Sequence, residues 1–112
     1  MAVPRLNVSL TLEAAQRQGD GVGGYRVVWR QLGILWAGMK AGSGRESFGE
    51  VGAESVVSWQ ITVRAAPVGD PRRPAAGQRF RQGERLFRIE AVAEGDPHGR
   101  WLICRAREEE MA

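Results

Sequence analysis

One cysteine, one histidine, one lysine and one tyrosine are all that the 112 residues hold of those types. A lone Cys104 rules out an internal disulfide, so the fold does without the cross-links on which small secreted domains rely, and a reducing cytoplasm suits it. One histidine beside one cysteine leaves no N/S cluster for structural zinc. No run approaches the roughly 20 apolar residues needed to cross a bilayer, and Met1 to Leu12 alternates where a signal peptide would hold an unbroken apolar core. The expectation is a soluble, non-exported chain with no membrane partner. Its length fits one small domain, residues 1–112, with a radius of gyration of about 13 Å and a thin core.

Fifteen of the 16 basic residues are arginine, and they are unevenly placed. Residues 1–63 carry six basic and five acidic groups (+1), 64–88 seven and two (+5), and 89–112 three and six (−3), which sum to the net +3. A basic block followed by an acidic tail serves either phosphate binding or the matching of patches between neighbouring subunits.

Strict alternation supplies the fold class. Leu6, Val8, Leu10 and Leu12 share one face of a first strand, and Val57, Trp59, Ile61 and Val63 one face of a third. Between them a second strand runs from Tyr25 to about Met39, with a bend or bulge expected at Gly33. Gln16 to Gly24 reads as a flexible connection. Lys40 to Glu54 is glycine-rich and weakly anchored, which predicts a long mobile loop over 41–54, and the prolines of Ala65 to Gln78 predict an exposed connection. Arg79 to Val92 folds back on itself around Gln82-Gly83-Glu84, and Arg100 to Arg107 forms the last strand. The sum is an all-β barrel or sandwich of five to six antiparallel strands. Trp59 and Trp101 are expected in the core, with Trp36 as an anchor at the loop entry.

Motifs that suggest chemistry fail on context. Gly19-Asp-Gly-Val-Gly-Gly24 spells a dinucleotide fingerprint, yet strand-forming Tyr25 to Trp29 follows in place of the helix that would hold a pyrophosphate. Asn7-Val8-Ser9 spells a glycosylation sequon inside a strand. His98 and Cys104 have no partner to complete a nucleophilic triad. No catalytic, cofactor-binding or metal residues are assigned, and the chain reads as a non-enzyme. Arg79, Arg81, Arg85 and Arg88 are the best candidates for an acidic or nucleic-acid partner, with a small nucleic-acid-binding barrel as the alternative function.

Leu35-Trp36-Ala37, the loop with Gly44-Arg45-Glu46, the strand Ile61-Thr-Val-Arg64, the hairpin from Gly83-Glu-Arg to Phe87-Arg-Ile89-Glu-Ala-Val92, and the closing Trp101-Leu-Ile-Cys-Arg105 with Glu108-Glu109 come in an order that resembles the phage head–tail joining family. These are the head-closure, or stopper, proteins of long-tailed phages and gene transfer agents. The resemblance implies a β-barrel subunit in a six- or twelve-fold homo-oligomeric ring at the neck of a particle assembled in the bacterial cytoplasm. Portal and adaptor proteins would lie on its head side, a tail terminator on the other, and packaged double-stranded DNA in its channel. It further implies that Gly42, Ser43, Gly44, Arg45, Glu46, Ser47, Phe48, Gly49 and Glu50 project toward the channel and help close it. A ring also gives the charge split a purpose, with Arg79, Arg81, Arg85 and Arg88 expected to meet Glu108, Glu109 and Glu110 of a neighbour.

Overall fold

The alternating segments become strands that wrap around their shared apolar face. The computed structural model describes residues 4–42 and 57–109. Among them are six strands: β1 (Val8–Gly19), β2 (Tyr25–Ala41), β3 (Ser58–Arg64), β4 (Arg79–Gln82), β5 (Arg85–Glu94) and β6 (Trp101–Glu109). Every pairing is antiparallel, and the order β1-β2-β3-β6-β5-β4 closes on itself as a barrel. Closure removes the free edges of the body.

Period-two patterning delivers Leu10, Leu12, Ile61, Val63, Leu102 and Cys104 to the interior, where none is more than 1% exposed. Phe80 and Phe87 face each other across the tight β4–β5 hairpin, and the edge of Trp59 meets Phe87 with ring centroids 6.1 Å apart. Gly83 takes the positive φ of 59° that this hairpin's turn requires.

The expected irregularity in β2 is a bulge. Leu12 pairs with Gly33 and Glu13 with Gln31, so Leu32 is the extra residue. Gly33 matters for a second reason: a Cβ there would stand 2.9 Å from Arg72 Cγ, so glycine lets the connection after β3 cross β2 closely.

Two expectations need correction. Gln16–Gly24 is no flexible connection, because β1 continues to Gly19 and only Asp20 to Gly24 turn the chain. Ala14–Gly19 and Tyr25–Arg30 thus form a two-stranded arm beyond the barrel, and Gln16, Arg17 and Gln18 put polar side chains on both faces of its β1 half, which is why alternation did not reveal that half. The arm raises the radius of gyration to 15.4 Å, above the value expected for a sphere-like chain of this length, with extents of 54 × 39 × 23 Å. The aromatic assignments also change. Trp59 points inward, but Trp101 lies on the outer face beneath Arg64, whose guanidinium carbon is 5.3 Å from the ring centroid. Trp36 is mid-strand and 62% exposed, because its neighbour Ala37 takes the inward position.

The proline-rich connection lies largely at the surface, as expected, but it is pinned. Pro74 is buried, Arg73 donates to the Ala66 carbonyl at 2.8 Å, and Gly77 N–H donates to the Ile89 carbonyl at 2.9 Å.

Candidate functional site

Two features gather the charged residues: the outer face of β4–β5–β6 and one rim of the barrel. Antiparallel register places Arg79 beside Arg88 and Arg88 beside Arg107, so guanidinium groups line the outside. Glu13, only 5% exposed, is the counter-charge. Its carboxylate accepts from Arg79 Nε at 2.8 Å and lies 3.2 Å from Arg81 Nε. Two cations share one buried anion, which leaves the cluster with net positive charge. Trp29, at the root of the arm, lies against both Arg79 and Arg88, whose guanidinium carbons stand 3.9 and 5.0 Å from its ring centroid. Arg88 is also 3.3 Å from Glu109, and Arg107 3.5 Å from Glu90.

At the rim, Arg85 and Glu108 form a bidentate pair, Nε to Oε2 at 2.9 Å and Nη2 to Oε1 at 3.0 Å. Trp59 Nε1 donates to the same carboxylate at 2.9 Å, and Arg85 stacks over both Trp59 and Phe87. Hydrogen bonding from Arg85 holds the Glu108 carboxyl below its ordinary range, against the opposing effect of partial burial. This cluster sits where β2 ends and β3 begins. Gly42 N–H donates to the Ser58 carbonyl at 2.7 Å, and Glu108 N–H to the Val57 carbonyl at 2.9 Å.

Of the proposed interface residues, Arg79, Arg81 and Arg88 lie on the outer face with Glu109, while Arg85 and Glu108 lie at the rim. Within a single chain Arg85 already pairs with Glu108 and Arg88 with Glu109, because β5 and β6 are neighbours. Glu110 is outside the described residues. Gly42 stands at the rim, and Ser43, Gly44, Arg45, Glu46, Ser47, Phe48, Gly49 and Glu50 are likewise outside them. Sequence reasoning missed Glu13 and Trp29 as members of the cluster. The available signal was slight: Glu13 continues the polar phase of Asn7, Ser9 and Thr11 and is the first acid in the chain.

Motifs set aside in the sequence have structural roles. Asp20 Oδ1 accepts the N–H groups of Val22 and Gly24 at 2.8 and 2.9 Å, so the glycine-rich stretch is an Asx-stabilised turn whose amides serve its own carboxylate. Asp96 accepts from the amides of Arg100 and Trp101 and from the Arg100 side chain, which closes the β5–β6 turn. His98 is exposed in that turn, whereas Cys104 is inside the barrel with its thiol pushed up to about 12 by burial. Among the described residues no group of three or more histidine, cysteine or acidic side chains is placed to hold a metal.

The sequence matches the phage head completion protein family over residues 1–109. Among solved structures it is similar to a chain from the virion of a native gene transfer agent particle, at 54% identity and a TM-score of 0.82, covering 98% of this chain and 100% of that one. A protein of Shigella flexneri 2a, known from a solution structure, shares the fold at 22% identity and a TM-score of 0.69, with both chains fully covered. No curated protein matches.

Proposed function

The chain belongs to the phage head completion protein family, and from that membership we propose that it is a head-closure ring subunit in the neck of a phage or gene transfer agent particle. Its role is structural, with no bond chemistry to perform. The ring lies between portal or adaptor and tail, retains packaged DNA and offers the surface on which the tail docks. The observation that carries this is the 54% identity, over nearly the whole chain, to a component of an assembled gene transfer agent virion. The fold supports it in two ways. A closed barrel presents no body edge to polymerise through, so assembly proceeds through chosen surfaces. The net-positive outer face around Arg79, Arg81 and Arg88 suits contact with an acidic surface of a neighbour or with DNA phosphates.

We assign the channel-facing role to the segment from Gly42 to Glu50. Its support is its composition and the position of its flanks, which leave and rejoin the barrel at one point on the rim, beside Arg85, Glu108 and Trp59. Six-fold and twelve-fold rings both accommodate this arrangement.

Removal of the gene tests the proposal. Particles made without the chain should appear as tailless heads whose DNA is open to nuclease, and a tagged copy should restore tails and copurify with them. Tailed, nuclease-resistant particles in its absence would overturn the assignment.

A further inference from the structure

The arm carries its apolar side chains into solvent. Val22 is 86% exposed, Tyr25 70% and Val27 59%. Among the described residues, β2 pairs with β3 only from Ala37 to Ala41, so the arm's β2 edge from Tyr25 onward has no ladder partner on that side. A long, apolar, open edge invites unwanted pairing unless a partner covers it.

Farther along β2 lies a recess. β2 and β3 part company after Ala37 meets Val63, and the chain beyond Arg64 keeps to the β6 side, Ala65 N–H donating to the Arg100 carbonyl at 2.9 Å. The gap between Leu6, Leu35, Trp36 and Arg64 has a volume of about 340 Å³. A second hollow of about 240 Å³ shares Leu35 and Arg64 with it and extends past Pro67 to Asp70 and Arg72. The recess is apolar in its floor and charged at its border.

Arm tip and recess stand ten residues apart on one strand, a span of roughly 33 Å at the rise of extended chain. The arm therefore cannot fill the recess of its own subunit. A projection and a hollow at a fixed offset on one molecule define a head-to-tail contact, the kind that propagates around a ring. Of the arm's charged groups, Asp20 at the turn suits the recess border, where Arg64 and Arg72 outnumber Asp70, while Arg17 and Arg26 are engaged on the arm itself, Arg17 over the Tyr25 ring and Arg26 on Gln18.

We propose that the arm of one subunit, led by Tyr25 and Val27, seats in the recess beside Leu35, Trp36 and Pro67 of a second copy of this chain. The tyrosine ring covers the apolar floor, and its hydroxyl is offered to the charged border. This deepens the ring reading above and rests on it for the assembled state.

Crosslinking in purified particles tests it. The native Cys104 is buried, so Tyr25→Cys with Pro67→Cys supplies the reactive pair. Treatment with a flexible bismaleimide should give a ladder of dimers, trimers and larger species, and neither single variant should give one. Separately, Tyr25→Asp with Val27→Asp should lower incorporation into particles roughly tenfold or more, while the purified chain keeps its β-sheet circular dichroism. Incorporated double-cysteine chains that form no ladder, or dimers from Tyr25→Cys alone, would overturn the arm contact and leave the ring standing. A chain absent from particles altogether would overturn the ring reading itself, and this contact with it.

Discussion

Arg79 joins the arm to the barrel by lying over Trp29, its guanidinium carbon 3.9 Å from the indole centroid, while its Nε donates to Glu13. The indole belongs to the root of the projecting hairpin and Glu13 to the point where β1 leaves the barrel. Arg79, with Arg88 on the same ring, therefore ties down a segment that has no core of its own.

Glu13→Ala removes the counter-charge of both Arg79 and Arg81. Glu13 is buried and Arg79 largely so, whereas Arg81 reaches water, so the cost lies at or below the lower end of that for a broken buried pair, about 2–3 kcal/mol. The urea midpoint should fall accordingly, and Glu13→Gln, which keeps the shape, should fall less. An unchanged midpoint in both would show that the pair contributes nothing net.

Acid should weaken the fold through Glu108. Arg85 holds its carboxyl below the ordinary 4.5, so the ionised form contributes stability at neutral pH. That contribution begins to fade below pH 4.5 and is lost as pH drops through the folded value. Asp96 adds the same sign: burial raises its carboxyl, but the Arg100 and Trp101 hydrogen bonds outweigh this and lower it. Urea midpoints measured between about pH 3 and pH 7 should decline toward acid, with a shallower decline in Glu108→Gln. Parallel curves would reject the Arg85 pair as a source of the effect.

Cys104 should be silent toward thiol reagents. Burial pushes its thiol up to about 12, so almost no thiolate exists near neutral pH, and the barrel blocks approach. Iodoacetamide should label it only after denaturant is added. Fast labelling of the native chain would mean that the barrel opens.

Deleting Arg45 to Glu50 should leave the barrel intact, with a sheet-type circular dichroism spectrum, but allow DNA to escape from heads that have not yet gained a tail. Full retention of DNA by such heads would reject the channel role of the segment.

Legibility followed burial. β3, β5 and β6 could be read because each has one dry face and one wet face, so Ile61 and Val63, or Leu102 and Cys104, stand out by alternation. The β4–β5 turn announced itself through Gly83 between Phe80 and the alternating Phe87 and Ile89. The β1 half of the arm stayed hidden because Gln16, Arg17 and Gln18 look like a loop when no core demands a pattern of them. Trp36 and Trp101 misled for the converse reason, since apolar residues on the outside of a barrel obey the same alternation as those inside. The candidate site was half legible. The arginines were visible as a local charge excess, but Glu13, more than 60 residues away in sequence, joins them only through the β1–β4 ladder.

Leu32 carries a consequence out of proportion to its size. A surplus residue on one strand of a ladder bends that strand and sharpens its local twist, so Leu32 sets the angle at which the projection leaves the barrel. Excising it would leave Leu12 opposite Gly33 and Glu13 opposite Gln31 in an unbroken ladder, with Tyr25, Val27 and Trp29 on the face they hold now but the tilt of the hairpin changed. A single codon thus governs where the tip of the hairpin stands relative to the barrel wall.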